Sequence, residues 1–135
     1  MLHNAQVIAM VPCVDLDRAR DFYGKTLGLN EMDFGPSSAD EEAGMIAYLC
    51  GNGSIISVYQ RPTPTMADHT AAAFIVEDFD AAVDDLISRG IKFEVYDLPD
   101  IEFDDRGVAT MGDLTTAWFK DPEGNIFSVS EMPEM

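Results

Sequence analysis

Few side chains in this sequence are able to ligate a metal, relay a proton or attack a carbonyl. There are two imidazoles, His3 and His69, two thiols, Cys13 and Cys50, and a surplus of carboxylates. The thiols stand singly in apolar runs, with neither a CxxC pair nor a framework of four or more, and so read as buried free thiols. A nucleophilic Cys13 would need a base beside it, which only the two histidines supply. His69 has the best case of any single residue: it adjoins Asp68, opens an apolar run and carries an imidazole, the side chain most often used as a general base. A purely structural hydrogen bond at the junction between two halves of the chain accounts for it equally well. Tyr59 and Trp118 suit stacking on a ligand, since aromatic faces attract cations, and equally suit a half-covered core.

The charge balance narrows the partners. Eight Lys and Arg against 25 Asp and Glu give a net charge of −17. Such a field repels phosphate backbones and anionic lipid and attracts organic cations, so nucleic acid and membrane surfaces are excluded as primary partners. Acidity that serves only solubility is the simpler alternative. No apolar stretch approaches the roughly 18 residues of a membrane span, and Met1-Leu2-His3-Asn4 lacks a basic leader region, so a cytoplasmic protein is expected. A length of 135 residues with 47% hydrophobic residues suits one packed domain.

The elements that would position these groups occur twice. Val7–Val14 is an apolar run followed by Asp15-Leu16-Asp17, and Ala71–Val76 is followed by Asp78-Phe79-Asp80, at an offset of 63 residues. Each run suits a buried strand, and each first Asp suits the cap of a starting helix. Leu16, Ala19, Phe22, Tyr23 and Leu27 keep helical spacing up to Gly28; Phe79, Ala82, Val83, Leu86 and Ile87 do so up to Gly90. Gly53–Val58 and Gly124–Val129 then repeat at an offset of 71, as strands entered from the turns Gly51-Asn52-Gly53 and Asp121-Pro122-Glu123-Gly124. Between helix and last strand each half has room for two more strands, expected at Glu31–Phe34 and Ala43–Cys50, then at Lys92–Tyr96 and Thr115–Phe119. Each half thus reads βαβββ, spanning about residues 5–60 and 69–132, with the proline-containing connector 61–68 between them. Halves this small are marginal alone, so 1–135 is expected to be a single α+β domain. Gly35–Glu42 and Leu98–Asp113 read as long polar loops, the second carrying Asp97, Asp100, Glu102, Asp104 and Asp105.

Taken in order, Val14-Asp15-Leu16-Asp17-Arg18-Ala19-Arg20-Asp21-Phe22-Tyr23, Thr26-Leu27-Gly28-Leu29 and Trp118-Phe119-Lys120-Asp121-Pro122-Glu123-Gly124-Asn125-Ile126 resemble the vicinal oxygen chelate superfamily. That group includes glyoxalase I, bleomycin and fosfomycin resistance proteins and extradiol dioxygenases. The resemblance covers essentially the whole chain. It implies two βαβββ modules curling into an open, incompletely closed barrel around a ligand cavity, commonly in a homodimer. It also implies where metal ligands would sit in the superfamily's enzymes: at Ile8 and Ala71 on the first strands and at Ser57 and Ser128 on the last. An isoleucine, an alanine and two hydroxyls supply almost no donors for a divalent ion. His69, two residues before Ala71, adds one imidazole, with no carboxylate at the facing positions.

These readings converge on a protein that binds a small organic ligand in the manner of the bleomycin resistance members. The ligand expected is a cationic or aromatic compound, and no metal or other cofactor is expected. The alternatives are a glyoxalase-like metal-dependent lyase or isomerase, a metal-free enzyme using His69, and a scaffold for a neutral metabolite. The expected cavity wall is Ile8, Met10, Ser57, Tyr59, His69, Ala71, Trp118 and Ser128; no catalytic residue is assigned.

Overall fold

The computed structural model describes residues 1–32 and 44–131, and in it the chain divides into two compact units, Met1–Met66 and Ala67–Met135. In the first unit, β1 (Ala9–Cys13) leads into α1 (Leu16–Arg20), followed by the short β2 (Asn30–Glu31), β3 (Met45–Leu49) and β4 (Ile55–Gln60). The sheet order is β1-β4-β3-β2, with β1 parallel to β4 and the other pairs antiparallel. In the second unit, β5 (Thr70–Ile75) leads into α2 (Phe79–Ser88), β6 (Glu102–Phe103), β7 (Ala109–Met111), β8 (Leu114–Lys120) and β9 (Ile126–Glu131). Its order is β5-β9-β8-β7-β6. Neither sheet closes on itself, as expected for an open α+β protein; the first unit is βαβββ as expected, whereas the second carries one strand more, βαββββ. Among the described residues no helix is long and apolar enough to cross a membrane.

The doubled helix starts form as their chemistry requires. Asp15 Oδ1 accepts the Arg18 amide at 3.1 Å and Asp78 Oδ1 accepts the Ala81 amide at 3.2 Å, each satisfying a donor that the helix itself leaves unpaired. Gly28 and Gly90 end the helical segments at φ 73° and 93°, a region open to glycine. The first segment departs from regular spacing: Asp21–Thr26 widens into a π-helix, closed by the Leu27 amide on the Phe22 carbonyl. That turn buries Phe22 and Tyr23 together, and the Tyr23 ring stacks on Tyr48 at 5.7 Å.

The cores follow from strand alternation. Val11, Cys13, Ile46, Tyr48, Ile56 and Val58 share one face of the first sheet and are buried with Leu16, Ala19 and Tyr23. In the second unit Phe74, Phe119 and Phe127 stack at 5.7 to 6.3 Å among Phe79, Val83 and Val129, which are buried. Ile87, expected on the apolar side of α2, is 40% exposed, because the buried stripe of that short helix ends near Val83.

Tyr48 carries a buried hydroxyl with no hydrogen-bond partner among the described residues. Burial first, then the nearby Glu31 charge, pushes its ionisation up to about 12, with Arg20 opposing. Because the folded value lies above the unfolded one, stability is intact below about pH 10 and falls as pH rises toward about 12, with a slope of up to about 1.4 kcal/mol per pH unit. Tyr48→Phe is expected to flatten this slope and to raise stability near neutrality by about 1 kcal/mol, since it removes an unsatisfied polar atom. Urea midpoints at several pH values measure both effects.

The second half of the chain corrects two expectations. Lys92–Tyr96 makes one isolated bridge, Glu94 to Trp118, and is not a ladder strand. The edge of β8 is instead taken by β7, so the expected loop Leu98–Asp113 contains the β6–β7 hairpin. The expected loop Gly35–Glu42 lies outside the described residues, as do the ends of the strands expected at Glu31–Phe34 and Ala43–Cys50.

Candidate functional site

Each sheet has a second face, turned away from its buried aromatic and aliphatic core, and the expected ligand-binding residues fall mainly there. On the first sheet the register places Met10, Ser57 and Ala47 in one row across β1, β4 and β3, and Pro12, Tyr59 and Met45 in the next. Ser57 and Ala47 are buried, whereas Met10 and Met45 are 49% and 39% exposed. The result is a small-residue floor with thioether and phenol walls. Ile8 sits just ahead of β1 and is exposed.

On the second sheet the matching rows are Ala73, Ser128 and Trp118, then Ile75, Ser130 and Thr116. The offsets read from the sequence therefore hold for side-chain position: 63 links Met10 to Ala73, and 71 links Ser57 to Ser128 and Ala47 to Trp118. Large and small residues trade places between the modules, with Met10 against Ala73, Ala47 against Trp118 and Tyr59 against Ser130. A β-bulge between Thr70 and Ala72 sets this register in β5. It leaves Ala71 outside the paired rows, so Ala73 stands level with Ser128. His69 lies one residue before β5 and is exposed.

Trp118 is the centre of the second face. Its Nε1 donates to Thr70 Oγ1 at 3.2 Å, and its ring meets Tyr96 edge-on at 5.6 Å and Phe103 at 6.1 Å. Glu94 donates its amide to the Trp118 carbonyl at 2.7 Å and faces Lys120 at 3.7 Å. The Tyr96 hydroxyl is buried with no partner among the described residues; burial first and the Glu94 charge second push its ionisation up. Below the ring, Thr116 Oγ1 and Ser130 Oγ lie 2.8 Å apart, both buried. The arrangement offers an aromatic surface suited to stacking, with the Thr116 and Ser130 hydroxyls paired to each other and the Glu94 carboxylate to Lys120.

A family model described as the Glyoxalase/Bleomycin resistance protein/Dioxygenase superfamily matches residues 5–129. The chain belongs to that superfamily. Solved structures carry the same fold. A glyoxalase family protein from Bacillus anthracis is 23% identical with a TM-score of 0.72, covering 96% of each chain. A glyoxalase/dioxygenase from Nostoc punctiforme is 18% identical with a TM-score of 0.68, covering 97% of this chain and 92% of that one. A glyoxalase/bleomycin resistance protein/dioxygenase from Alicyclobacillus acidocaldarius is 21% identical with a TM-score of 0.65, covering 97% and 93%. No curated protein matches the sequence.

For this member of the glyoxalase superfamily, the residues at the positions implied for metal ligands do not fit a divalent ion. Ile8 and Ala71 bring no donor atom, and Ser57 and Ser128 bring neutral hydroxyls. Among the described residues no three His, Cys, Asp or Glu side chains gather as a metal cluster. There are two surface depressions of about 550 Å³, one lined by Asp100, Ile101, Glu102, Phe103, Asp104, Val108 and Thr110, the other by Val14, Asp15, Leu16, Asp17 and Gln60. Phe103 joins the first depression to the Trp118 cluster. Tyr96, Phe103 and Thr70 are neighbours of Trp118 that residue types and spacing do not single out. Phe103 falls in the expected loop Leu98–Asp113, where alternation gives no signal, and Tyr96 in the expected strand Lys92–Tyr96, which makes only the Glu94 bridge.

Proposed function

We propose that this protein binds a small organic molecule, cationic or aromatic, without metal, as the bleomycin resistance members of its superfamily do. The ligand-facing residues we propose are Ile8, Met10, Ser57 and Tyr59 on the first module and, taken separately, His69, Ala71, Trp118 and Ser128 on the second. The observation that carries the reading is Trp118, held by Thr70 and framed by Tyr96 and Phe103 beside Glu94. A ring so fixed gives stacking area at little entropic cost, and the net charge of −17 favours encounter with a cation. Poor metal donors at the implied ligand positions support binding without an ion. We also infer a homodimer, supported by exposed apolar side chains such as Met10 and Leu49 on one sheet face.

A cationic acridine and an uncharged aromatic of the same size are suitable probes. The cation is expected to quench Trp118 and, at a hundred times its Kd, to stabilise the fold by about 2.7 kcal/mol in a thermal melt. Trp118→Ala is expected to weaken it about tenfold. Binding of neither probe would overturn the reading. Stoichiometric uptake of nickel, zinc, manganese or iron would overturn its metal-free part.

A further inference from the structure

We propose that Arg106 is a positioning residue for the Trp118 face: it clamps the β6–β7 hairpin to α2 and thereby keeps Phe103 against Trp118. Arg106 lies in the turn of that hairpin. Its Nη2 is 3.0 Å from Asp80 and 3.5 Å from Asp104, and its Nη1 is 3.3 Å from Asp84. Asp80 and Asp84 stand one turn apart on α2. One guanidinium thus ties three carboxylates from two elements, a network rather than an isolated surface pair. Asp104 is the mechanical link. Its Oδ1 accepts the amides of Arg106 and Val108, both at 2.9 Å, which stiffens the turn, and the residue before it is Phe103. β6 itself is an edge strand held by two ladder pairs, so the clamp from its turn to α2 adds a restraint the sheet does not supply.

The sign of the charges makes the clamp sensitive to salt in a distinctive way. With Arg106 present, the hairpin is drawn to α2, and screening weakens the attraction. Without it, Asp80, Asp84 and Asp104 face one another, and screening relieves their repulsion. Salt should therefore loosen the wild type and tighten an Arg106→Gln variant. The consequence for ligand binding rests on Trp118 being the ligand platform; the clamp itself does not.

Acrylamide quenching of Trp118, the chain's single tryptophan, reads the device without any ligand. In the wild type the quenching constant is expected to rise about twofold between about 0.01 M and about 1 M NaCl, as the Debye length contracts from about 30 Å to about 3 Å. Arg106→Gln is expected to start high and fall over the same range, with Arg106→Lys in between. Phe103→Ala is expected to be high at every salt concentration, and adding Arg106→Gln to it to change nothing further. Wild-type quenching in a folded Arg106→Gln protein, or additive effects in the double variant, would overturn the proposal. Should Arg106→Gln not fold, a salt-independent wild type and Arg106→Lys would overturn it equally. An intact sign reversal with no acridine binding would leave the clamp standing and remove only the ligand reading.

Discussion

Asp121→Ala is expected to destabilise the protein by about 4 kcal/mol, the largest loss from any single turn residue, and to lower Tm by more than about 10 °C. Asp121 is 5% exposed and organises the β8–β9 turn from within. Its Oδ1 accepts the Glu123 amide at 2.9 Å and the Asn125 amide at 2.8 Å, while Oδ2 accepts Asn125 Nδ2 at 2.8 Å. Truncation strands these buried donors, and each buried unsatisfied group costs about 1–3 kcal/mol, with incomplete additivity. Asp121→Asn keeps an acceptor for the two amides but cannot receive the Asn125 side chain, so it should fall between. The equivalent turn of the first module shows the contrast. There Asn52 and Gly53 adopt φ 56° and 75° and the Ser54 amide closes on Gly51 at 3.1 Å, so backbone geometry makes the hairpin with no buried side chain organising it from within. Ser54→Ala, which removes one bond from its hydroxyl to the Gly51 carbonyl, is expected to cost no more than about 1 kcal/mol. The larger effect reaches the candidate site, because this turn fixes the β8–β9 register that sets Trp118 beside Ser128. A slip of one residue would turn Ser128 to the opposite face. A chemical-denaturation series placing Asp121→Ala within 1 kcal/mol of wild type would contradict the argument.

The contrast between the two turns also explains which parts of the molecule were legible from residues alone. Asp15 and Asp78 act over three residues, Gly28 and Gly90 over one, and their chemistry is local, so type and position suffice to place them. The offsets of 63 and 71 extended that reading to pairing, and Met10, Ser57, Ser128 and Trp118 fall on the faces that alternation assigns. Alternation fails where a partner strand decides. The bulge at Ala71 answers to pairing with β9, for which residues 70–72 carry no mark of their own. The stretch 92–96 has strand-like alternation, yet β8 has only one free edge, β7 takes its first three residues, and 92–96 is left with the single bridge at Trp118. The acidic run around Phe103 reads as solvated loop because its charges hide two short strands. The widening of the first helix at Asp21–Thr26 has no periodic signature either, since it serves the seating of Tyr23 on Tyr48.

Gly107→Ala is expected to cost about 3 kcal/mol and to separate Phe103 from Trp118. Two independent effects add at this position. Gly107 has φ 92°, a conformation that a side chain opposes by about 1–2 kcal/mol. A Cβ there would also lie 2.8 Å from Phe93 Cβ and 3.5 Å from the Phe93 carbonyl oxygen. Phe93 has little room to give: it is 5% exposed, and its ring meets Phe119 edge-on at 6.2 Å within the aromatic core. The displacement must therefore fall on the hairpin, which carries Phe103 at its outer strand and Arg106 at its turn. Gly90→Ala isolates the backbone share, because Gly90 has φ 93° but nothing within 4 Å of an added Cβ, and a loss of about 1 kcal/mol is expected there. The difference between the two variants measures the contact with Phe93, and raised acrylamide quenching in Gly107→Ala alone measures its transmission to Trp118. Equal losses at the two glycines, with unchanged quenching, would mean that Phe93 yields where its packing says it cannot, and that the hairpin is held to the sheet more softly than this close approach requires.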